Sequence, residues 1–131
     1  MKRAKHKERV LEILRERQGP MTAYEILGEL RAVNPKAAPP TVYRALKSLT
    51  DSGCVHRIES LNAFLLCQGA GHEGPPVMSI CSDCGRVDES APEGLLQELS
   101  GLAAKTGFTP KRHVVEVHGL CSDCDERSSP A

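Results

Sequence analysis

Two Cys-x-x-Cys turns, Cys81-Ser82-Asp83-Cys84 and Cys121-Ser122-Asp123-Cys124, constrain this chain more than any other feature. Each places two thiols on one tight turn, so that both sulfurs reach a single cation. Together Cys81, Cys84, Cys121 and Cys124 supply the four soft ligands of a closed tetrahedral zinc site. The 36 residues between the turns are too many for a simple zinc ribbon. A small subdomain must therefore lie between the knuckles and bring them back together. Disulfides or a redox Cys-x-x-Cys pair are the competing uses of six cysteines. The paired spacing in a chain without an export signal favours metal.

With two Phe, two Tyr and no Trp in 131 residues, each half of the chain has only a thin core of Leu, Val, Ile and Ala. Small domains of this kind recruit a metal or a partner chain. No stretch approaches the length of a membrane span. The basic start is not followed by the apolar core of a signal peptide, so the expected compartment is the cytoplasm. The zero net charge conceals an asymmetry. Residues 1–60 carry 12 Lys and Arg against 7 Asp and Glu, whereas residues 61–131 carry 5 against 10. A basic half joined to an acidic half suits a nucleic-acid-binding module attached to something else.

The basic half reads as a winged helix-turn-helix. A first helix is expected over residues 7–17, with Val10, Leu11, Ile13 and Leu14 as its apolar stripe. A second opens at the capping box Thr22-Ala23-Tyr24-Glu25 and buries Ile26, Leu27, Leu30 and Val33. A third, over residues 41–49, turns Val42, Ala45, Leu46 and Leu49 inward and leaves Thr41, Tyr43, Arg44, Lys47 and Ser48 outside. These residue types suit DNA: Arg bridges a guanine edge, Lys and hydroxyls hold phosphates, and Tyr packs on sugars or thymine methyls. The same pattern also fits a helix cluster with a solvated polar face. Strands over residues 54–59 and 63–67, joined through Ser60-Leu61-Asn62, form the expected wing and favour DNA binding.

In the acidic half, residues 77–80 and 86–89 read as strands flanking the first knuckle. A helix is expected from Pro92-Glu93 to about Lys105 with Leu95, Leu96, Leu99 and Leu102 inward. A strand over residues 112–118, with Val115 and Val117 on one face, leads to the second knuckle. Such a unit buries little alone, and a homodimer with a shared sheet remedies this. The domain organisation is thus a winged-helix domain over 1–68, a hinge over 69–76 and an α/β dimerisation and zinc-binding domain over 77–131. The fold class is α+β.

Four further ligand-type residues are scattered: His56, Cys67, His72 and Glu89. Each has an ordinary reading, as a polar wing residue, a small buried side chain, a loop residue and a solvated carboxylate. His56 and Cys67 nevertheless fall on the two wing strands, Glu89 just past the first knuckle, and His72 in the connector. A site built from all four would span the hinge.

The run Pro39-Pro40-Thr41-Val42-Tyr43-Arg44-Ala45-Leu46, the wing between His56 and Cys67, Cys81-x-x-Cys84-Gly85, and His118-Gly119-Leu120-Cys121-x-x-Cys124 resemble the ferric uptake regulator superfamily, and within it the zinc uptake regulators. The resemblance covers residues 9–124. It implies a homodimeric, zinc-dependent transcriptional repressor, binding AT-rich palindromic operators of zinc-acquisition genes, with two zinc ions per subunit and no organic cofactor. It places the structural zinc on Cys81, Cys84, Cys121 and Cys124, and the sensing zinc on His56, Cys67, His72 and Glu89. Tyr24, Tyr43 and Arg44 match positions that touch DNA. The chain departs from the family's pattern before Lys7, where an extra helix is usual, and after Cys124, where it has no His-rich tail. The interval from Cys67 to His72 is short.

Thiolate with imidazoles and a carboxylate suits zinc better than iron. Iron, manganese or peroxide sensing remain the alternatives within the superfamily, and a zinc-stabilised interaction module without DNA binding is the alternative outside it. An enzyme is not expected, because four knuckle thiols leave no open metal position. His113 and His118 are expected in structural or solvent roles.

Overall fold

The computed structural model describes residues 2–68 and 76–128, with side chains over 6–68 and 76–126. His72 lies outside these residues. Helix α1 (Lys2–Arg17) begins earlier than its apolar stripe implies and buries Val10, Ile13 and Leu14. A two-residue strand, β1 (Met21–Thr22), precedes α2 (Ala23–Val33). The capping box forms as the sequence indicates: Thr22 Oγ1 accepts from the Glu25 amide at 3.1 Å, and the Glu25 carboxylate accepts from the Thr22 amide at 3.1 Å. Two of the orphan donors of the first turn are thereby satisfied. Val33 was expected inside but is 65% exposed. It is the last residue of α2, where the helix has run past the core and Asn34 takes over as cap.

Helix α3 (Pro39–Asp51) starts two residues before Thr41, because the prolines at its first positions lose no helical hydrogen bond there. Its end is a tight stop. Gly53 adopts φ +82°, its amide donates to Thr50 O at 3.1 Å, and the Cys54 amide donates to Leu49 O at 3.0 Å. This pairing closes the last helical carbonyls and needs a residue without a Cβ at position 53. Strands β2 (Val55–Ile58) and β3 (Ala63–Leu66) follow, joined by a 3-10 turn (Glu59–Leu61) and Asn62 in the left-handed region. The first sheet has the order β1-β3-β2, antiparallel throughout, with Val55 opposite Leu66 and His56 opposite Leu65.

Alternation along this hairpin separates two faces. Val55 and Phe64 join the helical side chains in one core. Ile58 and Leu65 turn the other way and pack with Met78, Ile80 and Val87 of the second sheet. The wing strands thus form the wall between the two halves. Among the described residues the inter-sheet core has these five buried side chains, so truncating Ile58 to Ala would cost about 2–5 kcal/mol.

The second sheet contains β4 (Val77–Cys81), β5 (Val87–Ser90) and β6 (Val115–Gly119), in the order β5-β4-β6. β4 pairs antiparallel with β5 and parallel with β6. Helix α4 (Leu95–Ala104) is the crossover, and α5 (Ser122–Ser128) ends the described chain. Leu95, Leu96, Leu99 and Leu102 of α4 are expected inward; the first three are half-buried, none is fully buried, and Leu102 is 60% exposed. The periodicity is real, but among the described residues nothing covers that face completely. The strand expected from Arg112 starts at Val115, and Val117 is exposed. Among the described residues no helix is long and apolar enough to cross a membrane.

Candidate metal centres and nucleic-acid face

Parallel pairing of β4 with β6 brings the two knuckles together. Cys81 lies opposite Gly119, and the Ser82 amide extends the ladder by donating to Gly119 O at 2.7 Å. Both strands therefore finish at the same end of the sheet, and each runs directly into its Cys-x-x-Cys turn. Gly85, at φ +81°, donates to Cys81 O at 3.1 Å and closes the first turn. The second turn opens α5, with the Asp125 amide donating to Cys121 O at 2.8 Å.

The four sulfurs lie within 4.8 Å of one another. Cys84 Sγ and Cys121 Sγ are 3.7 Å apart. A tetrahedron with zinc–sulfur bonds of about 2.3 Å has an edge of about 3.8 Å, so the residues fit a closed zinc site. Amide groups of Cys84, Cys121 and Asp83 directed at Cys81 hold its thiol at about 6, while burial pushes the Cys124 thiol far up. At neutral pH the metal-free cluster is therefore partly ionised, and metal must displace the remaining protons.

The second constellation spans the two sheets. His56 comes from β2, Cys67 from the residue after β3, and Glu89 from β5, and their ligand atoms lie within 4.8 Å of one another. His56 Nε2 is 2.9 Å from Glu89 Oε1, and Cys67 Sγ is 3.5 Å from Glu89 Oε2. The Glu89 side chain is only 2% exposed and that of His56 12%. A carboxylate so shielded is costly unless it pairs or binds a cation. Imidazole, thiolate and carboxylate form a borderline-soft set that fits zinc. The structure brings three of the four scattered residues together, and His72 lies outside the described residues.

Sequence reasoning missed two residues that hold this region in place. Gln68 donates from Nε2 to Val87 O at 2.8 Å and accepts from the Glu89 amide at Oε1 at 2.9 Å, while its own amide donates to Glu89 Oε2 at 3.1 Å. It fixes both the strand that carries Glu89 and the carboxylate itself. Glu116 on β6 accepts from the amides of Glu59 at 2.7 Å and Ser60 at 3.1 Å, and so caps the 3-10 turn of the wing. Burial pushes the Glu116 carboxyl up, but hydrogen bonds from Ser60 and Glu59 outweigh it and hold the group below its ordinary value. Arg112 adds a 2.8 Å bond to Glu59. Only adjacency to Cys67 could have pointed to Gln68. Nothing local pointed to Glu116.

Helix α3 presents Tyr43, Arg44 and Lys47 to solvent, with Thr41 half-buried. Tyr43 is 56% exposed and Tyr24, at the start of α2, 84%. Thr41, Tyr43, Arg44 and Lys47 fall within one outward arc of α3 at helical spacing. His113 lies 3.2 Å from Ser100 of α4, and His118 lies 3.8 Å from Glu116, beyond hydrogen-bond range.

Residues 1–118 match the ferric uptake regulator family. The zinc uptake regulation protein of Escherichia coli (strain K12) is 42% identical over 118 residues, spanning 89% of this chain and 69% of that protein. The zinc uptake regulation protein of Mycobacterium tuberculosis (strain ATCC 25618 / H37Rv) is 30% identical over 106 residues, spanning 79% and 78%. A zinc uptake regulator solved in complex with zinc and DNA superposes with a TM-score of 0.86 at 41% identity, over 93% of this chain and 82% of that one. The crystal structure of holo XcZur gives 0.80 at 37% identity, over 92% and 84%.

Proposed function

The chain belongs to the ferric uptake regulator family, and from that membership we propose that it is a zinc-responsive, homodimeric transcriptional repressor of zinc-uptake genes. The observation that carries the reading is the convergence of His56 and Cys67, on the wing, with Glu89, on the neighbouring sheet. These three residues, with His72 as the fourth ligand, hold the regulatory zinc. Cys81, Cys84, Cys121 and Cys124 hold a structural zinc, giving two ions per subunit. Zinc at the hinge supplies bonds that tie the wing strands to β5. His56 and Cys67 then orient the hairpin and Glu89 orients the second sheet, so that the outward face of α3 is presented in one pose. By linkage, zinc and DNA must strengthen each other's binding by the same factor.

Tyr24, Thr41, Tyr43, Arg44 and Lys47 contact DNA in this reading, and the operator is an AT-rich palindrome read by two symmetry-related helices. The second copy covers the leucine face of α4 and the exposed Phe108, Val117 and Leu120. It also meets β6, which is an edge strand in this chain and needs a cover. The protein acts in the cytoplasm and catalyses no reaction. The Cys67 thiol favours zinc over iron or manganese as the sensed metal.

The test is fluorescence anisotropy of an AT-rich palindromic duplex at buffered free zinc, with wild type and Cys67→Ser. Zinc-dependent binding that Cys67→Ser weakens, with the knuckle zinc retained, is expected. Binding indifferent to zinc would remove the sensor and leave a constitutive DNA-binding protein.

A further inference from the structure

Glu89 and Glu116 stand in one row of the second sheet. Met78 on β4 lies opposite Glu89 of β5 on one side and opposite Glu116 of β6 on the other. Residues paired across strands turn the same way. Met78 is buried and shares the inter-sheet core with Ile58, so the row faces the wing. The side chains of Glu89 and Glu116 are only 2% and 10% exposed. Neighbouring strands lie about 5 Å apart, which separates the two carboxylate-bearing residues by about 10 Å.

Strand β2 matches that row along its length. His56 meets Glu89 at 2.9 Å, Ile58 joins Met78 in the core, and the Glu59 amide donates to Glu116 at 2.7 Å. The Ser60 amide gives the same carboxylate a second bond at 3.1 Å. From His56 to Glu59 the extended chain covers about 10 Å, the width of the row. Strand β2 is therefore laid across the sheet with one carboxylate under each end. The two ends are held by different chemistry. Glu89 converges with the ligand atoms of His56 and Cys67, whereas Glu116 grips two backbone amides and needs no metal to do so. The bond from Arg112 to Glu59 uses an exposed guanidinium and adds little.

Resting on the hinge-zinc reading above, we infer that Glu116 is a positioning residue for zinc-regulated DNA binding: it anchors the far end of β2, so that zinc at the near end selects a single pose of α3. One point of attachment leaves the wing free to swivel about it. A second point about 10 Å away removes the swivel. Helix α3 runs into β2 through the closed turn at Gly53, so fixing β2 fixes α3. Glu116 thus acts through the pose and not through contact with zinc or DNA.

The experiment uses the full chain and anisotropy of the AT-rich palindromic duplex, with the hinge first cleared by a mild chelator and then saturated with zinc. Zinc stimulation is the ratio of the two affinities. Elemental analysis confirms that knuckle and hinge are filled, and chelator competition gives the hinge zinc affinity without DNA. Glu116→Ala is expected to keep that affinity within about threefold of wild type, because no zinc ligand or bond to a ligand is lost. Its zinc stimulation is expected to fall at least about fivefold, the lower range of coupling between sites. Glu116→Gln keeps one acceptor oxygen and should fall between the two. Unchanged stimulation in fully metallated Glu116→Ala would overturn the anchor, since lost stability alone lowers Tm and not the ratio. A loss of hinge zinc affinity as large as the loss of stimulation would also overturn it, by making Glu116 a support of the metal site. If zinc did not stimulate wild type, the hinge reading would fail and the anchor would fall with it.

Discussion

The side chain of Gln68 pairs with the backbone around Glu89 as one residue of an added strand would, accepting from the Glu89 amide at 2.9 Å and donating to Val87 O at 2.8 Å. β5 is an edge strand, and this carboxamide occupies part of its free side. The residue directly after Cys67 thus sets where Glu89 stands, although it cannot ligate zinc well itself.

Gln68→Ala should therefore lower zinc affinity at the hinge by about tenfold while leaving the knuckle zinc unchanged, as losses of supporting hydrogen bonds around metal ligands do. Competition with a chromophoric chelator measures both sites. Gln68→Glu should do worse than Ala, since a second carboxylate would replace the donor to Val87 O and crowd Glu89.

Glu116→Gln should cost about 1 kcal/mol, because a charged acceptor for the Glu59 and Ser60 amides becomes a neutral one. The carboxyl is held below its ordinary value of 4.5 in the folded protein. Its stabilisation is accordingly complete above pH 4.5 and is lost as the pH falls through the lowered value. Denaturant unfolding across that window should show the acid-side loss in wild type and a flatter profile in the variant.

Cys84→Ser should remove the knuckle zinc and lower Tm by on the order of 10 °C or more, since folding of small metal domains includes the metal's binding energy. Proton release on zinc uptake supplies an independent check. Cys81 titrates near 6 without metal, so it is already ionised at pH 7.5 and has no proton to give. Calorimetry in buffers of different ionisation enthalpy should find about one more proton released at pH 5 than at pH 7.5.

Arg44→Ala should reduce operator affinity by about 1–3 kcal/mol and relax sequence preference at one position, with dimer formation and zinc content unaffected. Lys47→Ala should instead weaken all sequences alike and lower the salt dependence of binding. Anisotropy at several salt concentrations separates the two.

What the sequence made legible follows from how far apart the interacting residues lie. The knuckles and the capping box are encoded within four residues each, and both formed as their spacing indicated. The inward face of α3 was equally local. Val33 and Leu102 are exposed against expectation because periodicity finds an apolar stripe without saying what covers it. The ties through Gln68 and Glu116 join residues 19 to 57 positions apart, and no local pattern announces such pairs.

The stop at Gly53 leaves no slack between α3 and β2. With Thr50 and Leu49 carbonyls both engaged across the joint, helix and strand turn as a single lever whose short arm carries His56. A swing of roughly 10° at the strand would carry the far end of a helix about 20 Å long through about 3 Å, close to the rise of one base pair. Arg44, nine residues and about 13 Å from Gly53, would move through about 2 Å, enough to take its guanidinium out of hydrogen-bond reach of a base edge.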